Sequence, residues 1–164
     1  MVQFSILICS ASAKVLEFLL AYPSVKVSAS GLIKKMGLAR NTVFGALKKY
    51  AFMLTRESVG NTVLYKLNLN HPVAKQLKVL RTISMLVEEK PTDFSGEAYL
   101  FGSAARGEDT EKSDLDLLVI TNKHYTFANS NIKPAFFTQF EYARLAREDK
   151  AFFESIEKNK IRVF

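Results

Sequence analysis

Residues 99–120 read YLFGSAARGEDTEKSDLDLLVI, and this stretch decides the fold of the second half of the chain. A short apolar run leads into Gly102-Ser103, and a second apolar run spans Leu115–Ile120. Because the second run carries apolar side chains at both odd and even positions, it predicts a central strand covered on both faces. Residues two apart in a strand point to one side, so Asp114 and Asp116 are expected on one face.

The residue types in this stretch suit a metal-bound triphosphate. A glycine at position 102 lets a phosphate approach the backbone closely. Ser103 adds a hydroxyl at a predicted helix N-terminus, where N–H groups favour anions. Arg106 adds a fork of donors that matches phosphate. Asp114 and Asp116 can hold a hard divalent cation such as Mg²⁺ or Mn²⁺. Such a cation can bridge phosphates and activate an attacking hydroxyl.

The order Gly-Ser, Arg-Gly and Ser-Asp-x-Asp over residues 98–120 resembles the signature of the nucleotidyltransferase superfamily, which has the polymerase-beta-like fold. The resemblance implies that Gly102 and Ser103 engage a nucleoside triphosphate and that Arg106 supports their loop. It implies that Asp114 and Asp116 are catalytic and bind Mg²⁺ (or Mn²⁺). The implied reaction transfers a nucleoside monophosphate to a hydroxyl acceptor.

Members of this family also supply a third carboxylate from the next core strand. That strand is expected within residues 132–140, which contain no acidic residue. Glu141 follows directly and is the substitute candidate. Three interpretations therefore stay open: an active transferase, a DNA-binding transcriptional regulator with a weak or inactive transferase-like domain, and the antitoxin of a toxin–antitoxin pair.

The first half of the chain predicts three helices and a hairpin. Apolar positions recur at helical spacing over residues 6–20 and place Cys9 on the buried face. A second helix starts near Ser28, with Ser28 or Ser30 as its cap, and runs to Met36 before Gly37. A third starts with Asn41 or Thr42 as its cap. Two β-type runs, Leu54–Val59 and Thr62–Leu67, flank Gly60-Asn61 and predict a β-hairpin.

This order of elements is typical of a winged helix-turn-helix, and residues 28–68 resemble winged-helix DNA-binding regulators. Residues 1–90 carry 13 Lys and Arg against 4 Asp and Glu, a balance of +9, whereas residues 91–164 carry 10 against 12, a balance of −2. The basic half suits a polyanion, so double-stranded DNA is the expected partner. The candidate DNA-binding residues are Arg40, Asn41, Thr42, Lys48, Lys49, Arg56 and Lys66.

We therefore predict an α+β protein: an N-terminal winged helix-turn-helix and a small C-terminal nucleotidyltransferase-like α/β domain with a short mixed sheet. The predicted boundaries are 1–70 for the first domain, 71–91 for a connecting helix and 92–164 for the second domain. Within the second domain we also expect strands at 98–101, 135–138 and 161–164, and one helix over 140–158.

Composition narrows the setting of the protein. A hydrophobic fraction of 48% excludes wholesale disorder, and no apolar run is long enough for a membrane span. One cysteine excludes an internal disulfide framework and fits the cytoplasm. Besides a nucleoside triphosphate and DNA, a protein partner and a second copy of the chain, forming a homodimer, are candidate partners; a membrane is not.

Overall fold

The computed structural model describes residues 10–164. It divides into two compact units, one ending at Arg81 and one spanning Thr82–Phe164. The first described helix, α1, covers Ala11–Ala21. Residues 6–9 of the predicted first helix, including Cys9 and its predicted core position, lie outside the described residues. Within residues 10–164, none of the helices has the length and apolar character needed to cross a membrane.

The first unit combines three helices with a small antiparallel sheet. The sheet has the strand order β1-β3-β2, and the β2–β3 hairpin has the predicted bounds. The helices pack around buried aliphatic side chains such as Leu19, Leu32 and Leu47. In chain order, the elements after α1 are β1 (Val27–Ser28), α2 (Ala29–Met36), α3 (Arg40–Lys49), a single 3₁₀ turn (Ala51–Met53), β2 (Leu54–Val59) and β3 (Thr62–Leu67).

Local signals account for the bounds of α2. The Ser28 side chain accepts a hydrogen bond from the Gly31 N–H at 3.0 Å, and Gly37 ends the helix with φ of 63°. The end at Gly37 was predicted, and of the two predicted caps, Ser28 and Ser30, the structure has Ser28. The predicted cap of α3 was wrong: Ala39 is the N-cap, without a side-chain hydrogen bond, and Asn41 and Thr42 lie inside the first turn. Strand β1 was not predicted.

Helix α4 (Pro72–Glu88) begins in the first unit and ends in the second. Proline suits the first helical position, because its missing N–H would have no partner there anyway. The helix predicted between residues 71 and 91 is therefore present. Ala74 contributes to the core of the first unit and Leu86 to a core of the second. The division into 1–70, 71–91 and 92–164 stays a prediction.

The second unit is a mixed α+β structure around a four-stranded sheet, which confirms the predicted short mixed sheet. The strand order is β6-β5-β4-β7; β5 and β6 are parallel and the other pairs antiparallel. Its elements are β4 (Glu97–Leu100), α5 (Gly102–Ala105), β5 (Leu115–Ile120), β6 (Ile132–Phe137), α6 (Gln139–Glu148), α7 (Lys150–Glu157) and β7 (Ile161–Arg162).

Strand β5 is covered on both faces, as predicted. Leu117 and Val119 are fully buried in a cluster that includes Leu86 of α4. Leu118 and Ile120 are buried on the other face, in a cluster that includes Ile156 of α7. Asp114 and Asp116 share the side of Leu118 and Ile120 because side chains alternate along a strand.

Three predicted elements of the second unit differ from the structure by two residues or more. The terminal strand, β7, ends at Arg162 and not at residue 164. Strand β6 starts three residues earlier than predicted and contains Pro134. An edge strand tolerates proline because the backbone nitrogen, which carries no hydrogen in proline, can face away from the sheet. The single helix predicted over 140–158 is two helices. Asp149 interrupts it with φ of −139° and ψ of 75°, and its side chain accepts a hydrogen bond from the Phe152 N–H at 3.0 Å.

Candidate functional site

The loop after β4 brings Gly102 against Asp116. The Phe101 N–H donates to the Asp116 carbonyl at 3.1 Å, which ties the start of the loop to β5. Gly102 has φ of 71°, in the left-handed region. A Cβ built on Gly102 would collide with Oδ2 of Asp116 and lie 3.3 Å from its Cγ. The loop and the carboxylate therefore meet, and both the positive φ and the crowding by Asp116 favour glycine at position 102.

Arg106 braces this loop from within. Its Nη1 donates to the Gly102 carbonyl at 3.0 Å, and its Nε donates to Glu108 Oε2 at 2.8 Å. The Ser103 carbonyl accepts the N–H groups of Arg106 at 3.1 Å and of Glu108 at 2.9 Å. The Arg106 guanidinium thus has two partners inside the loop. The pairing of Glu108 with Arg106 was not predicted from the sequence. The sequence showed only that an acid lies two residues after an arginine.

Ser103 is the second residue of the four-residue helix α5 and is half-buried. Its carbonyl is used inside the loop, whereas no hydrogen bond of its hydroxyl occurs among residues 10–164. The Ser103 hydroxyl is therefore available to a ligand beside the Gly102 backbone.

The two carboxylates differ in environment. Asp114 immediately precedes β5 and its side chain is 62% exposed, whereas Asp116 is half-buried. Burial, and then the negative charge of Asp114, raise the pKa of Asp116 above its ordinary value of 3.8. Within the described part of the chain, the Asp116 carboxylate has no hydrogen bond or ion pair, so the two negative charges lie close together without full compensation.

A lysine lies beside the acidic pair. In the parallel pairing of β5 with β6, Lys133 is the register partner of Asp116. Its Nζ lies 3.9 Å from Asp114 Oδ1 and donates to the Ser130 carbonyl at 3.2 Å. The predicted bounds of β6 began at residue 135, so Lys133 was not assigned to this face. The strand on which the resemblance implies a third acid thus places a lysine beside the acidic pair.

Glu141, the substitute candidate for that acid, is at the other end of the sheet. Its Oε2 accepts from the Thr138 N–H at 2.8 Å and from the Thr138 hydroxyl at 2.9 Å, forming the capping box of α6. These hydrogen bonds hold the pKa of Glu141 below its ordinary value of 4.5. Glu141 follows the carboxyl end of β6, whereas Asp116 pairs with its amino-terminal half. The suggestion that Glu141 completes the site was therefore wrong.

The donor set at Asp114 and Asp116 fits one small cation. Both side chains offer carboxylate oxygens, which Mg²⁺ and Mn²⁺ prefer, and Mg²⁺ is commonly held by one or two carboxylates plus substrate phosphates. The uncompensated Asp116 carboxylate favours a positive ligand. Across residues 10–164, no three side chains of His, Cys, Asp and Glu come close enough to hold a metal ion together. A cation here would need its remaining ligands from water and a phosphate.

The predicted DNA-binding residues of α3 lie at its two ends, three in the first turn and two in the last turn. Arg40, Asn41 and Thr42 are its first three residues, and Arg40 and Asn41 are exposed. The Arg40 guanidinium lies 5.4 Å from the centre of the Phe44 ring, which is itself 44% exposed. Lys48 and Lys49 form the exposed last turn. Phe44 was not predicted as a surface residue.

The two hairpin residues in the predicted DNA interface lie on opposite faces. Arg56 is paired with Tyr65, and Lys66 is paired with Thr55. Register partners point to one side of a sheet and neighbouring residues to opposite sides, so Arg56 and Lys66 diverge. Arg56 is exposed and stacks 5.7 Å from the Tyr65 ring centre, whereas Lys66 is half-buried.

Comparison with known families identifies the second unit. Residues 80–163, just over half of the chain, match the family described as the nucleotidyltransferase domain. The chain therefore belongs to the nucleotidyltransferase domain family. No curated protein and no solved structure matches the sequence.

Proposed function

We propose that this protein is a Mg²⁺-dependent (or Mn²⁺-dependent) enzyme that transfers a nucleoside monophosphate from a nucleoside triphosphate to a hydroxyl acceptor. The observation that carries the proposal is the contact between Gly102 and the unpaired carboxylate of Asp116. This contact joins an open backbone suited to phosphate with an oxygen ligand suited to the cation that accompanies phosphate.

The reaction is a substitution at the α-phosphorus. The acceptor oxygen forms a bond to that phosphorus, the bond to the bridging oxygen of pyrophosphate breaks, pyrophosphate leaves, and the hydroxyl proton passes to water. A bound divalent cation neutralises phosphate charge and polarises the reacting oxygens.

The chain's own residues bind and orient the triphosphate. Gly102 admits a phosphate close to the backbone, and Ser103 offers its hydroxyl to a phosphate oxygen. Arg106 holds the loop in shape through the Gly102 carbonyl and Glu108. Asp114 and Asp116 would hold the cation through their carboxylate oxygens. Such positioning accounts for most of the catalysis of phosphoryl-type transfers.

The first unit is proposed to be a winged helix that binds double-stranded DNA and brings the transferase to its target. Support comes from the helix–helix–helix–hairpin order and from the exposed Arg40-Asn41 start of α3. Arg and Asn can each make bidentate contacts with base edges. The excess of basic residues in the first half favours contact with phosphates.

A second candidate function is a DNA-binding regulator whose transferase-like unit binds a nucleotide without turnover. One observation favours it: Lys133, not an acid, is the register partner of Asp116.

Nucleotide incorporation tests the proposal. With α-labelled triphosphates, Mg²⁺ or Mn²⁺, and the full chain, we expect label to enter an acceptor, and the Asp114→Asn/Asp116→Asn double variant to fall to background. Asp93→Asn, an exposed acid in the loop before β4, is the matched control and should label normally. Labelling that survives in the double variant removes this site as the catalyst. Nucleotide binding that depends on Asp116, without any incorporation, would favour the regulator.

A further inference from the structure

Lys133 is the charge nearest to the acidic pair that the transferase chemistry above does not use. It is held on the Asp116 side of the sheet by the β5–β6 register, and its ammonium lies 3.9 Å from Asp114 Oδ1. Neighbouring strands are about 4.8 Å apart, so the side chains of register partners leave the sheet side by side. Lys133 therefore faces any cation that binds between Asp114 and Asp116.

The local charge sets how many cations the site can take. Asp114 and Asp116 contribute two negative charges and Lys133 one positive charge, which leaves a balance of −1. One divalent cation reverses that balance to +1. A second would raise it to +3 with no further carboxylate to bind it, since no cluster of three potential metal ligands exists among residues 10–164.

The Lys133 side chain is also free to change partners. It is 55% exposed, and an exposed ion pair at 3.9 Å is worth little, because water screens it and two flexible side chains must be ordered. Once a cation occupies Asp114, the ammonium is released within a few ångströms of the phosphates that the cation would hold. An ammonium on a flexible stem is a common phosphate partner.

We propose that Lys133 restricts the Asp114–Asp116 pair to a single divalent cation and supplies the second positive charge for the phosphates of the nucleotide. This inference rests on the proposed function, because it assigns a role to Lys133 at the same site. Lys133 is a positioning residue for cation and phosphate.

The stoichiometry of Mn²⁺ binding tests the inference without any need for turnover. Titration of the full chain with Mn²⁺ alone, followed by electron paramagnetic resonance of the free ion, should show one bound ion per chain. Lys133→Met should still bind one ion, roughly three- to tenfold more tightly, because a nearby positive charge is gone. Lys133→Glu should bind two. Lys133→Arg, which keeps the charge, should match the unaltered chain.

The control is Lys150→Met, which removes an exposed lysine from α7 and should leave Mn²⁺ binding unchanged. Two ions, or none, on the unaltered chain would overturn the inference. The inference is also overturned if Lys133→Met binds Mn²⁺ with the affinity of the unaltered chain and Lys133→Glu binds the same number of ions as the unaltered chain. Because the side chain at 133 is mostly exposed, the variants should fold, and Lys133→Gln is a second neutral replacement if one does not.

One further variant separates this inference from the proposed function. If Asp116→Asn abolishes Mn²⁺ binding while the Lys133 variants change nothing, only the role of Lys133 fails. If Asp116→Asn still binds the ion with unaltered affinity, the carboxylate site itself fails and the proposed function fails with it.

Discussion

The backbone of Gly102 lies so close to the carboxylate of Asp116 that no side chain fits between them. The two residues are 14 positions apart in the sequence: Gly102 is the first residue of α5, and Asp116 lies on strand β5. A side chain at position 102 would therefore force the carboxylate to move. This contact couples the loop that starts at Gly102 to the acidic pair.

Gly102→Ala should damage both stability and labelling. Its φ of 71° costs an alanine about 1 kcal/mol, and the new Cβ must also displace the Asp116 side chain. We expect a loss of unfolding free energy in urea and a fall in nucleotide incorporation of about tenfold or more. Gly37→Ala is the matched control: its φ is 63°, but nothing lies within 4 Å of its Cβ position. It should lose stability and keep labelling; equal labelling in both variants contradicts the prediction.

Arg106→Lys should weaken triphosphate binding although the charge is kept. Lysine cannot donate to the Gly102 carbonyl and to Glu108 at once in the geometry of a guanidinium. We expect the KM for the triphosphate to rise about three- to tenfold, with a smaller change in kcat, in steady-state incorporation assays. Arg147→Lys, on α6, should leave both constants unchanged. An unaltered KM in Arg106→Lys would mean that charge alone matters at this position.

Glu141→Gln should leave nucleotide incorporation intact, because Glu141 caps α6 and takes no part in the acidic site. Its partner in the capping box offers a stability test: Thr138→Ala should cost about 1 kcal/mol of unfolding free energy, a typical value for losing a helix cap. Incorporation and urea unfolding of both variants check these outcomes. Loss of incorporation in a folded Glu141→Gln protein would show that Glu141 does contribute to the acidic site.

The affinity of the first unit for duplex DNA should fall steeply with salt, because neutralised phosphates release counterions. Lys48→Ala should reduce the slope of log K against log salt by about one. Lys26→Ala is the control, since Lys26 is paired with Glu57 at 2.6 Å and lies outside the predicted interface. Fluorescence anisotropy at several salt concentrations gives both slopes. Salt-independent binding, or no binding, rules out the DNA-binding interpretation.

Glu157 should make the free energy of unfolding of the second unit depend on pH in the acidic range. Hydrogen bonds from Lys160 and from the Tyr142 hydroxyl, the latter at 2.6 Å, hold the pKa of Glu157 below its ordinary value of 4.5. A lowered pKa means that the unfolded chain takes up the proton first. The stabilisation is therefore present above about pH 4.5 and is lost as the pH falls through the lower folded value.

Urea unfolding at a series of acidic pH values measures this effect. Glu157→Gln should be less stable near neutral pH and should lose less stability on acidification than the unaltered chain. Glu154→Gln, which removes an exposed acid on the same helix, should keep the steeper pH dependence. The prediction is wrong if all three proteins follow parallel curves.

Several elements were predictable because their signals are local. The hairpin bounds follow from Gly60-Asn61 between two β-type runs, and the end of α2 follows from Gly37. The central position of β5 follows from the apolar side chains that it carries on both faces. Asp149 was the local signal that was missed: a residue that caps a helix N-terminus also marks the end of the helix before it.

The amino-acid sequence by itself determined the kind of site, because a Gly-Ser turn, a following arginine and two acids at strand spacing are properties of neighbouring residues. Only the tertiary structure decided three placements, which came from the pairing of distant strands: Gly102 against Asp116, Lys133 beside the acids, and Glu141 at the far end of the sheet from them. The physical reason is that strand pairing sets which distant side chains meet, and one residue of register moves every side chain of a strand to the opposite face.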